Sequence, residues 1–145
     1  MYQEKIGAYK QNDVLTADPK TLVVLCYNAA ISNLKVAKAR FTEQQYEAKA
    51  KAMQKALGVI GELLAALNFE KGGQIARNLN AIYAYMYRRI SHADVQKDMH
   101  AIDEVIGLLE ELRNAWKEIS DGKTRQNSTT PRPAQKGAYR SMSVA

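Results

Sequence analysis

The 145 residues carry a net charge of +6, with 46% hydrophobic and 25% charged side chains, the make-up of one globular domain with a real core. Ala, Leu, Lys, Glu and Gln outnumber the β-branched residues, and there are only 8 glycines and 3 prolines, so long helices are favoured over a loop-rich fold. The lone cysteine, Cys26, excludes an intramolecular disulfide; set between Leu25 and Tyr27, it reads as a small buried hydrophobe in a reducing compartment.

Met1-Tyr2-Gln3-Glu4-Lys5 lacks the basic-then-apolar layout of a secretory leader. No apolar run approaches the ~20 residues needed to cross a bilayer. The cytosol is the expected location, without membrane insertion. Residues 1–17 scatter Tyr2, Ile6, Tyr9, Val14 and Leu15 among polar neighbours without a period, the pattern of an extended N-terminal arm.

Asp18-Pro19 then marks a helix start. Asp accepts from free first-turn amides, and Pro at the first helical position gives up an N–H that has no partner there. The first helix is predicted from Pro19 to about Phe41, on Leu22, Cys26, Ala29, Ala30, Leu34, Ala37 and Phe41 at steps of three and four. After a break near Thr42, a second helix carries Tyr46, Ala50, Met53, Leu57, Ile60, Leu64 and Leu67 on one face. Gly58 and Gly61 inside it point to a close helix approach or to a surface left open to another chain. Asn68 to Gly73 reads as a loop punctuated by Gly72-Gly73.

A third helix is predicted from Gln74 to Ser91 on Ile75, Leu79, Ile82, Met86 and Ile90. The fourth begins between Asp94 and Asp98 and runs to about Ser120 on Met99, Ile102, Ile106, Leu109 and Trp116. Matched lengths and short connections give an all-α, antiparallel up-down four-helix bundle over residues 18–120. Beyond Asp121 the composition turns to Ser, Thr, Pro, Arg, Gln and Gly. Lys123, Arg125, Arg132, Lys136 and Arg140 face one acid there, so this basic tail, residues 121–145, is expected to be disordered. The bundle itself keeps little net charge, which argues against a nucleic-acid surface on the fold.

Searches for chemistry fail. Gly72-Gly73 is followed by Gln74-Ile75 and lacks the Lys and hydroxyl of a phosphate loop. With only His92 and His100, the chain cannot supply the paired Glu-x-x-His motifs of a bundle metal site. His100, beside Asp103 and Glu104, reads as a solvated face. Cys26 has no histidine nearby, and Glu110 and Glu111 diverge by about 100° on a helix. Neither a catalytic set, a metal nor a cofactor is expected; the chain reads as a non-enzyme.

Two features exceed what a plain bundle requires. On the fourth helix, Val105, Leu108, Leu112 and Ile119 widen the apolar stripe well past the ~100° of a one-sided helix. Either that helix is wedged centrally or it carries a groove. On the third, Tyr83, Tyr85 and Tyr87 surround Met86; alternate helical residues diverge by about 200°, so at least one ring should reach the surface. Aromatics and Met of this kind suit adaptable protein-binding surfaces.

Ala8-Tyr9-Lys10-Gln11-Asn12-Asp13-Val14-Leu15-Thr16-Ala17-Asp18-Pro19, continuing through Leu22-Val23 to Tyr27-Asn28-Ala29-Ala30-Ile31, resembles the FliS family of bacterial flagellin-specific export chaperones. So does Glu70-Lys71-Gly72-Gly73-Gln74-Ile75-Ala76-Arg77-Asn78-Leu79, running on to Tyr83-Ala84-Tyr85-Met86-Tyr87-Arg88-Arg89. Leu109-Glu110-Glu111-Leu112-Arg113-Asn114-Ala115-Trp116-Lys117 is similar to that family's closing helix. The sequence departs from the family at Gln74, Ala84 and Tyr87, where Glu, Asp and Leu are common, and the basic tail is no part of the pattern.

The resemblance implies a cytosolic four-helix chaperone. It would hold the disordered C-terminal segment of flagellin about one to one, block its premature polymerisation and present it to the flagellar export gate. A client that orders as it binds loses ~2–5 kcal/mol of the gross interaction to that ordering, so a broad apolar contact is needed. Tyr83, Tyr87, Val105, Leu108, Leu112 and Ile119 are then the expected flagellin-binding residues. By the same resemblance, Ile6 and Tyr9 on the arm would cover the groove in a free, monomeric chaperone. A structural bundle that self-associates through its apolar faces is the alternative, and nucleic-acid binding by the tail is a third reading that is not favoured.

Overall fold

The computed structural model describes residues 18–120, so the expectations for the arm, with Ile6 and Tyr9, and for the basic tail lie outside the described residues. Four helices follow one another: α1 (Pro19–Thr42), α2 (Tyr46–Ala65), α3 (Phe69–Gln96) and α4 (Met99–Ser120). Among the described residues there is no strand.

Local chemistry sets most of the boundaries. Asp18 caps α1, its carboxylate accepting from the Thr21 N–H at 2.8 Å, and Pro19 follows in the first turn. Gln44, at φ 63°, turns the chain into α2. The helix α3 starts five residues before the expected Gln74, because the Asn68 side chain accepts from the Lys71 N–H at 2.9 Å and caps a turn ahead of the glycines. Gly73, at φ 51° and ψ −126°, then interrupts the helix. At its far end α3 passes Ser91 to reach Gln96: Ala93 is buried, and Asp94 meets the buried Lys49 at 2.6 Å. Lys97, at φ 57°, ends it, and the Asp98 side chain accepts from the His100 and Ala101 N–H groups to start α4.

In the bundle α1 packs on α2 and α4, and α3 packs on the same two helices, so α1 and α3 lie across a diagonal. The pairs Lys38–Asp103, Lys35–Glu110 and Asn28–Arg113 run in opposite directions along α1 and α4, which fixes these helices as antiparallel. Leu34, Met53, Ile60, Leu79, Met86, Ile90, Ile102 and Leu109 fill one continuous core. Each such side chain contributes roughly 1.5–3 kcal/mol by leaving water.

The faces differ from the periodic reading in detail. On α1 the buried stripe runs through Tyr27, Ala30, Ile31, Leu34 and Ala37, while Leu22, Cys26, Ala29 and Phe41 are only half-buried. On α4 the wide stripe is largely consumed by packing between α1 and α3: Val105, Ile106 and Leu112 join the core, and Leu108 packs against it half-buried. A Cβ built on Gly61 of α2 meets nothing within 4 Å, so no helix approaches closely there.

Candidate binding site

The half-buried residues of α1 lie together for a reason. Leu22-Val23-Val24-Leu25-Cys26 is an unbroken apolar run, and five consecutive helical residues point around the whole circumference. They cannot all enter one core, and all five are partly exposed. At this end of the bundle α2 stops at Ala65, and α3 enters through its interrupted first turn. Between them lies a cavity of about 510 Å³.

Its walls are Leu22, Val23 and Cys26 from α1, Leu63 near the end of α2, Leu67 from the loop that follows, and Leu79 from α3. Lys20, Asn68 and Lys71 stand exposed at the rim, with half-buried Glu62 as the anion of the wall. Gly72 helps shape the space: a Cβ there would stand 2.8 Å from that of Ala76, closer than packed carbons allow.

The inner end of the cavity is aromatic. Tyr83 and Trp116, 2% and 5% exposed, both line it. The Tyr83 hydroxyl shares a 2.6 Å hydrogen bond with that of Tyr27 across the bundle diagonal, their rings tilted 59° at 6.4 Å. Burial pushes the Tyr83 phenol up to about 12 and raises that of Tyr27 further, so both stay neutral donors. Burial first, and then the Glu62 charge, lifts the Cys26 thiol to about 11. As the thiolate is the nucleophile, this thiol is a poor one. What the arrangement offers is an apolar recess with polar edges.

The chain matches a family model described as Flagellar protein FliS over residues 1–123. The chain belongs to the FliS family. It is 39% identical over 128 residues to the flagellar secretion chaperone FliS of Salmonella typhimurium, covering 85% of this chain and 95% of that one. It is 36% identical over 107 residues to the flagellar secretion chaperone FliSB of Pseudomonas aeruginosa, covering 74% and 85%. The FliS of Bacillus subtilis, also a flagellar secretion chaperone, is 33% identical over 128 residues, covering 87% and 95%. The family is one of chaperones. Its model ends at residue 123, so most of the basic tail falls outside the FliS pattern.

Within this FliS-family bundle the residues singled out from sequence do not form one surface. Tyr83, Val105 and Leu112 are core residues, at 2%, 0% and 3% exposure. Of these only Tyr83 borders the cavity. Tyr87 is 40% exposed on the outside of α3, and Leu108 and Ile119 are half-buried on α4. The tyrosine run thus splits as its 200° spacing demands. Tyr83 points inward and Tyr87 outward, and the Tyr85 hydroxyl donates to Glu104 at 2.5 Å. Arg89 shares that carboxylate at 2.7 Å, and the two partners, Tyr85 foremost, hold Glu104 below its ordinary pKa. Asp103 pairs with Lys38, so both carboxylates beside His100 are engaged.

Sequence reasoning missed Leu22, Cys26, Leu67 and Leu79 as site residues because their helical spacing equals that of core positions. The available signal was the five-residue apolar run of α1 opposite the glycine pair of α3.

Proposed function

We propose that this chain is a cytosolic flagellar export chaperone that binds the disordered C-terminal segment of flagellin. It thereby prevents premature polymerisation and delivers the subunit to the flagellar type III export apparatus. The observation that carries this reading is the apolar cavity open at one end of a FliS-family bundle. An amphipathic segment ordering on the bundle buries its apolar face there and along the neighbouring half-buried side chains. No helix among the described residues is long and apolar enough to cross a membrane.

The arm has a place in this scheme. Pro19, the first residue of α1, lines the cavity. The ten residue steps from Tyr9 to Pro19 allow a reach of up to about 35 Å, and in this scheme Ile6 and Tyr9 cover the opening. Flagellin then displaces them.

Calorimetric titration of the full chain with the flagellin C-terminal segment tests the central claim. A complex near one to one with a large negative heat-capacity change is expected; no heat at micromolar concentrations refutes it. Ile6→Ala with Tyr9→Ala should leave the bundle folded while raising affinity and uncovering the cavity. Unchanged values for both discard the covering role alone. Sizing the chain with and without the segment separates chaperone from self-associating subunit, since a stable oligomer indifferent to the segment would favour the latter.

A further inference from the structure

Along α3 the outward positions form one line. At about 100° per residue, Arg77, Ala84, Arg88 and Val95 fall within about 20° of a common direction, with Ala81 and Tyr87 to either side. Arg77, Ala81, Tyr87, Arg88 and Val95 are exposed, Val95 at 81%, and Ala84 is half-buried. Leu79 and Tyr83, which border the cavity, point more than about 100° away from that line. The outer face is cationic without relief from its own helix. From residue 71 to residue 93 α3 carries no acid. A helical arginine finds its carboxylate three or four residues away, and at those distances from Arg77 and Arg88 every position is free of acid. Arg77 donates instead to the neutral Gln74 amide at 3.1 Å. Among the described residues Arg88 forms no ion pair. Toward α4, Glu104 is taken by Tyr85 and Arg89, and at the end of α3 Asp94 is taken by Lys49.

Arg77 and Arg88 stand about 16 Å apart along the helix axis. The side chains between them on this line, Ala81 and Ala84, are small enough for another helix to pack closely. Tyr87 at the flank and Val95 at the far end offer apolar contact. We infer that the outer face of α3 is a docking surface for an acidic amphipathic helix of a second protein. Two of its carboxylates, spaced as Arg77 and Arg88 are, pair with these arginines, and its small or aliphatic residues rest on Ala81, Ala84 and Val95. Guanidinium forks match carboxylates two bonds at a time, which fixes the register of the incoming helix. A nucleic-acid backbone rewards more cations than these two, and an anionic membrane surface rewards a cluster rather than a spaced pair. The surface does not rest on the flagellin reading. It lies on the side of α3 turned away from the cavity, so both sites can be occupied together.

The probe is a synthetic helical peptide of about 20 residues, built from Ala, Leu and Gln with two Glu residues spaced like Arg77 and Arg88. Titrated into the full-length ¹⁵N-labelled chain, it is expected to shift the amides of Arg77, Ala84, Arg88 and Val95. The amides of Leu22 and Cys26, at the cavity, stay unmoved. Added salt weakens the complex. Arg77→Gln or Arg88→Gln in the chain, or Gln for either Glu of the peptide, weakens it about two- to fivefold. Ala84→Asp does the same while keeping both arginines, because it sets a carboxylate one turn before Arg88. Should a chain variant fail to fold, the Gln peptides against the natural chain decide alone. Shifts confined to the cavity, equal affinity for the Gln peptides, or no shift at millimolar peptide overturns the inference. Binding of phosphatidylglycerol vesicles or poly(U) RNA through these arginines, where the peptide does not bind, overturns it as well. Failure of the flagellin segment to bind bears on the flagellin reading and leaves this surface standing.

Discussion

At Gly73 the backbone takes φ 51° and ψ −126°, a conformation that side chains with a Cβ rarely adopt. No neighbouring atom would clash with an added methyl, so the requirement is one of backbone and not of space. Gly73→Ala is expected to destabilise the bundle by about 1–3 kcal/mol, read as a lowered urea midpoint at unchanged m-value. A second residue-scale device is Lys49, 4% exposed, which donates to Asp94 at 2.6 Å. Removing one partner strands a buried charge. Asp94→Ala should cost about 2–3 kcal/mol, below the ~3–5 kcal/mol of a fully buried pair, since Asp94 keeps a quarter of its side chain in water. Lys49→Met in the same chain should recover most of that loss in chemical denaturation, whereas additive losses would show that the two residues act separately.

At the scale of the element, each helix resolves a conflict between its own pattern and its neighbours. The stripe of α4 is wide because α4 touches both α1 and α3, so Val105, Ile106 and Leu112 have partners on two sides. Of the run Leu22 to Cys26 on α1, Leu22, Val23, Leu25 and Cys26 border a cavity whose other walls come from the end of α2, the loop after it and the interrupted start of α3. Where a helix simply faces water, propensity alone should govern. Gly107 lies exposed within α4, and a Cβ there meets nothing within 4 Å. Gly107→Ala should therefore raise stability by roughly 0.5–1 kcal/mol, visible as a higher thermal midpoint; no change would mean that the glycine answers to something beyond the helix itself.

At the scale of the molecule, the buried aromatic and thiol groups tie stability to pH. Cys26 rises from 9.0 to about 11 and Tyr83 from 10.0 to about 12, with Tyr27 raised further, all chiefly by burial. In each case the unfolded chain releases its proton first, so the folded state holds more protons in that window and loses ground as pH rises. Their stabilising contribution is whole below about pH 9 and declines progressively from there to pH 12. Thermal melts followed by circular dichroism at stepped pH should trace that decline. Tyr27→Phe with Tyr83→Phe should flatten its upper part. A natural chain with a constant midpoint through pH 11 would show that these groups reach solvent in the folded state.

The sequence by itself determined the helical class, the order of the four helices and the FliS membership. Those properties live in local signals: the Asp18-Pro19 start, the three-and-four spacing of apolar residues, and contiguous runs such as Glu70 to Leu79. Only the tertiary structure decided which apolar residues are core and which line a recess. Helical spacing places Leu22 and Leu34 on comparable stripes, yet one borders the cavity and the other is fully buried. The difference depends on what stands opposite, and for Leu22 that is the end of α2 and the interrupted start of α3. The meeting of Tyr27, Tyr83 and Trp116 was equally illegible, because it joins three helices across a bundle diagonal, and a periodic pattern records the face of one helix without recording what that face meets.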